Sequence, residues 1–237
     1  MLHPPTSQSA RITEIFSSLQ GEGPLLGQRH IFIRFEECHI HCGYCDELDK
    51  NGREWSLESV LGEVERLERE SGPHRYISLT GGEPLLYINF LRTLVPALKV
   101  RGFSIYLETN GILWEALSRI ISVCDFIAMD MKPASVTGEG NFDSDHKRFL
   151  DIAVQKPVFI KFVISKQINF DEFDRQVNIV SEFPQPIPVV LQPVSSVIEG
   201  HDDPELMEIL ESLQKSAARK IPDVRIVPRF HKIFNLR

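Results

Sequence analysis

Three cysteines, Cys38, Cys42 and Cys45, stand within eight residues in the spacing C-x3-C-x2-C. Thiolate sulfur is the soft ligand that iron–sulfur clusters and zinc prefer. A [4Fe–4S] cluster normally takes four cysteines, so three would leave one iron open to a small molecule. The remaining cysteine, Cys124, lies far along the chain in an apolar run and is expected in the core. The stretch therefore predicts a metal centre with an open coordination position, where chemistry can take place.

The same stretch also suits a structural zinc ion. His39 and His41 lie between the first two cysteines, and three cysteines with one histidine form an ordinary tetrahedral zinc set. A chain with such a site would be a zinc-binding interaction module rather than an enzyme. Iron and sulfide analysis of anaerobically prepared protein distinguishes the two.

Composition and charge limit what the chain can be. Its 237 residues, 42% of them hydrophobic, suit one domain over 1–237, with a loose leader at 1–10. The 33 acidic residues outnumber the 26 basic ones, and the net charge of −7 disfavours nucleic acid and anionic membranes as partners. No apolar run approaches the roughly 20 residues of a membrane span, and no signal peptide is visible. The cysteines form no disulfide framework, so we expect a cytoplasmic protein.

Polar motifs follow several of the predicted strands. They are the cysteine loop, Gly81-Gly82-Glu83-Pro84, Glu108-Thr109-Asn110, Asp130-Met131-Lys132 and Gln192-Pro193. Because ligands bind at the carboxyl ends of strands in α/β barrels and open sheets, these motifs are expected to converge on one rim. A structural zinc loop needs no such convergence, so the pattern favours a catalytic centre.

Strand-like and helix-like segments alternate as in β-α-β units with a parallel sheet. About six units are present, too few for a complete barrel of ~250 residues. The predicted fold class is therefore α/β, a partial, open (β/α)6-type barrel with mostly parallel strands, and a doubly wound sheet is the alternative. The pattern also predicts a helix capped by Ser56, a helix from about 113 to 122, a loop over 133–142 and a helix over 143–153.

The cysteine spacing, with the aromatic Tyr44 just before the last cysteine, resembles the cluster loop of radical S-adenosylmethionine (SAM) enzymes. The motif Gly81-Gly82-Glu83-Pro84 resembles the one that holds the SAM amino group in that superfamily. The resemblance implies a [4Fe–4S] cluster on the three cysteines and SAM at the open iron, cleaved by one electron to a 5′-deoxyadenosyl radical. The residues expected to bind the cofactor are Tyr44, Gly81, Gly82, Glu83, Thr109, Asn110, Lys132 and Gln192.

A more specific resemblance covers most of the chain. The run Ser18-Leu19-Gln20-Gly21-Glu22-Gly23, Arg34 before the cysteines, Thr80 before the glycine pair and His231-Lys232 are similar to the 7-carboxy-7-deazaguanine synthase family. This implies a SAM- and magnesium-dependent homodimeric lyase with a flavodoxin- or ferredoxin-type electron donor. It would convert 6-carboxy-5,6,7,8-tetrahydropterin to 7-carboxy-7-deazaguanine, a step toward queuosine, under a C-terminal tail (228–237) that closes the active site. The implied substrate-binding residues are Gln20, Gly21, Glu22, Arg34, Thr80, His231 and Arg237.

One position departs from that family's pattern. The family usually has Cys-Asp-Thr at the third cysteine, and the threonine helps to coordinate magnesium, whereas this chain has Cys45-Asp46-Glu47. Because a hard cation favours charged oxygen, Glu47 is expected to keep a divalent cation, directly or through water, and to make activity depend more steeply on magnesium than threonine would. The alternative is that Glu47 points to solvent and the metal is absent or held by other groups. The alternative function is a glycyl-radical-activating enzyme, whose protein substrate would need a broad open groove.

Overall fold

A sheet of nine strands runs through the described part of this computed structural model, which comprises residues 9–45, 47, 50–194, 203–228 and 230. Its strands are β1 (Ser9–Leu19), β2 (Arg29–Phe35), β3 (Arg53–Ser56), β4 (Tyr76–Gly81), β5 (Ser104–Thr109), β6 (Phe126–Met131), β7 (Val158–Ile164), β8 (Val189–Pro193) and β9 (Val224–Ile226). The α-helices are α1 (Leu57–Ser71), α2 (Ile88–Val100), α3 (Trp114–Ser118), α4 (Ala134–Thr137), α5 (Asp143–Ala153), α6 (Phe170–Ser181) and α7 (Pro204–Ala217). Within these ranges, no helix has the length and apolar character that a membrane crossing requires.

The order of the strands identifies the architecture. From one edge to the other it is β3-β1-β2-β4-β5-β6-β7-β8-β9, and the strands from β2 to β9 along that order are parallel. Strands β1 and β3 are antiparallel additions at the β2 edge. A doubly wound sheet reverses its strand order at a switch point, and the parallel strands here follow chain order without a reversal. The predicted partial, open barrel is confirmed, and the doubly wound alternative is wrong.

Most predicted elements are present, with local exceptions. The Ser56 hydroxyl caps α1 by accepting from Ser59 N–H (3.2 Å), and α5 spans the predicted 143–153. The helix predicted to reach residue 122 ends at Ser118, because the apolar residues after it turn into the core. The predicted loop 133–142 contains α4, and β1 begins at Ser9, inside the expected leader.

The two faces of the sheet carry different side chains, because successive residues of a strand point to opposite sides. On one face, aliphatic side chains such as Ile77, Ile105 and Ile160 pack against the helices. The other face lies inside the barrel and carries an aromatic floor near the beginnings of the strands. The aromatic floor consists of Tyr76, Tyr106, Phe126 and Phe159. Polar residues on this inner face, further along the strands, stand above the floor.

The end of β4 runs in close contact with the segment that leads from β2 into the cysteine loop. Gly82 N–H donates to the Phe35 carbonyl (2.8 Å), and Glu83 N–H donates to the Glu37 carbonyl (2.7 Å). A Cβ atom on Gly82 would overlap the Glu37 carbonyl group. Glycine at 82 is therefore required by the approach of the protein's own backbone.

Replacing Gly82 by alanine should lower the free energy of unfolding by about 1–3 kcal/mol, because backbone must move to admit the methyl group. Gly62 is the matched control, since it lies on the exposed face of α1 with open space around its Cα. Gly62→Ala should raise the free energy of unfolding by about 0.5–1 kcal/mol through helix propensity. Urea unfolding of both variants measures this, and equal effects would contradict the close contact.

Candidate active site

A cavity of about 540 Å³ opens above the aromatic floor, at the carboxyl ends of the parallel strands. Most of the predicted site residues line it: Gln20, Gly21, Glu22, Arg34, Cys38, Cys42, Tyr44, Cys45, Glu47, Thr80, Gly81, Gly82, Thr109, Asn110 and Lys132. Glu83 and Gln192 are fully buried and lie behind its wall. His231 and Arg237 lie outside the described residues.

The cysteine loop follows β2 and forms one wall of the cavity. Its three cysteines are free thiols that line the same space. Cys45 N–H donates to the Cys42 carbonyl (3.0 Å), and Gly43 N–H donates to the Thr137 carbonyl (2.9 Å) at the end of α4. These bonds hold the loop in a turn against the barrel.

The donors of this loop fit an iron–sulfur cluster better than a single zinc ion. His39 and His41 are exposed and do not line the cavity. Across residues 9–45, 47, 50–194, 203–228 and 230, no three His, Cys, Asp or Glu side chains are grouped closely enough to hold one ion. A cluster spreads its thiolate ligands over several irons and accepts a wider set. Burial raises the pKa of the Cys38 and Cys42 thiols, so their thiolates need a cationic partner such as cluster iron.

Glu83 joins the end of β4 to the end of β5. Its carboxylate accepts hydrogen bonds from Leu85 N–H (3.0 Å), the Thr109 hydroxyl (2.9 Å) and Asn110 N–H (2.8 Å). These bonds hold Thr109 and Asn110 at the cavity wall, where the Asn110 amide nitrogen lies 4.0 Å from Cys38 Sγ. Burial raises the pKa of Glu83 to about 7, although the three donors favour its anion.

The loop after β1 and the ends of β4 and β5 share a hydrogen-bond network around Glu108. The Gln20 amide donates to Glu108 Oε1 (3.0 Å), and the Thr80 hydroxyl donates to Glu108 Oε2 (2.9 Å). Gln20 Oε1 in turn accepts from Glu22 N–H (3.1 Å). Burial and the neighbouring Glu22 carboxylate raise the pKa of Glu108. The network fixes three polar side chains on one side of the cavity.

A charge ladder of Glu22, Lys161, Asp130 and Lys132 connects that side to the cysteine loop. Lys161 Nζ lies 3.0 Å from Glu22 Oε2 and 3.4 Å from Asp130 Oδ2. Lys132 Nζ lies 2.8 Å from the same Asp130 oxygen and 3.2 Å from the Tyr44 hydroxyl. Burial opposes ionisation of Asp130, but the two ammonium groups outweigh it and lower its pKa. Asp130 therefore stays ionised between the two ammonium groups, whose pKa values its charge raises.

A second group of charges, the Arg34 cluster, consists of Glu14, Arg34, Glu47 and Lys50. The Arg34 guanidinium lies 2.9 Å from Glu14 Oε1 and 2.6 Å from Glu47 Oε1. Lys50 Nζ lies 2.8 Å from the same Glu47 oxygen. With two cations on one oxygen, Glu47 does not fit the predicted role of a magnesium ligand, because a divalent ion would stand beside both positive charges.

Several cavity residues were not singled out from the sequence as site residues, among them three charged residues on the parallel strands: Glu108, Asp130 and Lys161. Each lies on the inner face of its strand, and Asp130 pairs with Lys161 across β6 and β7. Lys161 is the clearest case, because it is the one charged residue in the apolar run VFIKFVI. A charged residue in the middle of an apolar strand is the sequence signal that would have identified Lys161 as a site residue.

The C-terminal tail begins beside the same loop. Phe230 N–H donates to the Gly21 carbonyl (3.2 Å), between the two side chains predicted to contact the substrate. Gln192 reaches Glu22 from behind the wall, where its amide donates to Glu22 Oε1 (3.2 Å). The loop is therefore held from the tail, from β7 and from β8.

Comparisons with known proteins agree on one family. Residues 32–153 match the profile of the Radical SAM superfamily. A 7-carboxy-7-deazaguanine synthase of Geobacter sulfurreducens is 36% identical, covering 94% of this chain and 96% of that protein. One from Methanothermobacter thermautotrophicus is 31% identical, with 96% and 98% covered. Among solved structures, QueE from Escherichia coli has the same fold (TM-score 0.63, 22% identity, 94% of this chain and 95% of that chain covered).

The raised pKa of Glu83 predicts a pH effect on stability. Its ordinary value is 4.5, so between about pH 4.5 and 7 the folded protein holds a proton that the unfolded chain has lost. The free energy of unfolding should therefore fall with pH in this window, by up to about 1.4 kcal/mol per pH unit from this group. Glu83→Gln removes this contribution, so urea titrations at several pH values should give the variant a flatter profile. Parallel profiles would contradict the protonated, buried Glu83.

Proposed function

The chain belongs to the radical SAM superfamily and, within it, to the 7-carboxy-7-deazaguanine synthase family, and we propose that the cavity above the aromatic floor holds both reactants. The enzyme is a carbon–nitrogen lyase of queuosine biosynthesis. It contracts the ring of 6-carboxy-5,6,7,8-tetrahydropterin to give 7-carboxy-7-deazaguanine, with loss of ammonia. Its cofactors are a [4Fe–4S] cluster and SAM.

The observation that carries the proposal is the set of residues that line one cavity. Three free thiols and the Gln20–Glu22 loop face the same 540 Å³ cavity, and the charge ladder runs between them. A cavity of this size accommodates small molecules and lies within the usual range for ligand sites. A protein substrate, as in the glycyl-radical-activating alternative, would need an open groove.

At the cysteine end, Cys38, Cys42 and Cys45 would hold the cluster, which with SAM supplies a 5′-deoxyadenosyl radical when bound. The backbone at Gly81 and Gly82 and the side chain of Asn110 line the space for the SAM amino group. Lys132 is fixed by Asp130 and keeps an ammonium group in the cavity for the SAM carboxylate. Tyr44 supports Lys132 through its hydroxyl.

Three of the cofactor residues expected from the sequence act, in this proposal, through their neighbours. Glu83 holds Thr109 and Asn110 in place through the bonds at the end of β5. Thr109 lines the cavity, but its hydroxyl is engaged by Glu83. Gln192 positions Glu22 from behind. All three are positioning residues of the site.

At the opposite end, Gln20, Glu22 and Thr80 would recognise the pterin ring. The ring offers amide and amine N–H groups, for which the side-chain oxygens of Glu22 and Glu108 are acceptors. Lys161 holds the Glu22 carboxylate in place at 3.0 Å, so that the acceptor is oriented before the substrate arrives. Arg34 and the cluster around it would receive the pterin carboxylate.

The C-terminal tail would complete this end. Phe230 approaches Gly21, so His231 and Arg237, which follow it in sequence, are proposed to contact the pterin when the tail covers the cavity. We further propose a homodimer, a flavodoxin- or ferredoxin-type electron donor, and a cytoplasmic location that keeps the three cluster thiols reduced.

The proposed reaction is tested with anaerobically reconstituted protein, SAM, a reductant and the carboxylated tetrahydropterin. Mass spectrometry should show 7-carboxy-7-deazaguanine and 5′-deoxyadenosine. Cys42→Ala should lose iron and both products, because it removes a cluster ligand. The control Cys124→Ala changes a buried cysteine far from the loop and should keep its iron. Cleavage of SAM without conversion of the pterin, or a colourless protein with one zinc, would contradict the proposal.

A further inference from the structure

We propose that Lys50 binds the carboxylate of the pterin and serves as the cation between that carboxylate and Glu47, in place of a divalent metal ion. The inference rests on the proposed function, since it needs a carboxylated pterin in the cavity. It concerns the position where this chain has Glu47 instead of the family's threonine. Lys50 lines the cavity and already pairs with Glu47 at 2.8 Å.

The charges around Glu47 create the need for a cation. The Arg34 cluster contains two carboxylates and two cations, so it is neutral before the substrate arrives. The substrate carboxylate adds a third negative charge, and Glu47 would repel it unless a cation lies between the two groups. Lys50 is the one cation of this cluster that lies near the rim, with its side chain 44% exposed, whereas Arg34 is 20% exposed.

The geometry allows Lys50 to serve both carboxylates. Its flexible stem ends in an ammonium group with three donors, so it can keep Glu47 and accept a new partner. Glu47 remains anchored by Arg34 at 2.6 Å while Lys50 turns. The second oxygen of Glu47 is buried and has no hydrogen-bond partner among the residues that the structure describes, so it offers Lys50 another acceptor during that movement.

Magnesium fits this site less well than Lys50 does. Magnesium needs six oxygen ligands at short distance, usually from one or two carboxylates, water and substrate. Here the engaged oxygen of Glu47 already faces two cations, and a divalent ion at the other oxygen would stand beside both. The sequence predicts that Glu47 makes activity steeply dependent on magnesium. On this inference, substrate binding and activity are instead independent of magnesium.

Substrate binding to the holoenzyme with SAM, without reductant so that no turnover occurs, tests the inference. Wild type should bind the carboxylated pterin equally well in magnesium and in excess chelator. Lys50→Gln in chelator should weaken that binding by about tenfold or more, as expected for the loss of a charge-assisted hydrogen bond. Lys50→Arg should restore most of it. Binding of 6-methyltetrahydropterin, which lacks the carboxylate, should be the same in all three proteins.

Manganese, observed by electron paramagnetic resonance, gives a second measurement that does not depend on activity. Wild type with substrate should leave manganese free, whereas Lys50→Gln should bind it and regain substrate affinity, because no lysine then lies between Glu47 and the substrate carboxylate. Lys147→Gln, an exposed lysine paired with Glu182 on the outer helices, is the control and should behave as wild type.

Two results would overturn the inference while the proposed function stands. One is wild-type protein that converts the pterin but binds manganese with it and loses substrate affinity in chelator. The other is a Lys50→Gln variant with unchanged affinity for the carboxylated pterin. Holoenzyme that neither binds nor converts the carboxylated pterin would instead refute the proposed function, and this inference with it.

Discussion

The site depends above all on the pairing of buried charges in the ladder Glu22–Lys161–Asp130–Lys132. Transferring an ion from water into a protein interior costs several kcal/mol unless a partner compensates, and removing one partner of a buried pair typically costs about 3–5 kcal/mol. Each charged group of the ladder keeps its partner only when the loop after β1 and strands β6 and β7 keep their relative positions. The ion pairs that offset the cost of burying these charges therefore also fix the distance between the cysteine loop and the Gln20–Glu22 loop, the two ends of the cavity.

The barrel supplies this arrangement because its strands are parallel. Their carboxyl ends share one edge, and alternation brings every second side chain to the inner face. The aromatic floor closes that face below, so polar residues placed near the strand ends meet in a small space. At the cysteine end of the cavity, the buried Glu83 carboxylate holds the ends of β4 and β5 together. Catalytic groups on such a frame are oriented before the ligands bind.

The sequence predicted the barrel, the cysteine centre and most of the cavity lining, because strand-end motifs in a parallel sheet must converge. It did not predict which side chains face the cavity: Glu83 lies at a strand end and yet points into the core. It also did not predict the pairing of Arg34 with Glu47 and Lys50, since that depends on how the cysteine loop folds back over β1 and β2. Lys161 was missed because it stands alone in an otherwise apolar strand, without a polar motif beside it. The orientation of side chains is tertiary information that local periodicity does not contain.

The central claim is that the pterin carboxylate lies at the Arg34 cluster and the ring lies toward Gln20 and Glu22. The cavity has another cationic position, the ladder lysines, so the opposite orientation is a real competitor. A crystal structure of the reconstituted protein with SAM and the carboxylated pterin, grown without reductant, distinguishes them most directly. The account predicts the carboxylate within hydrogen-bond distance of Arg34 and Lys50. A carboxylate bound to Lys161, with Arg34 still held by Glu14 and Glu47, would contradict it.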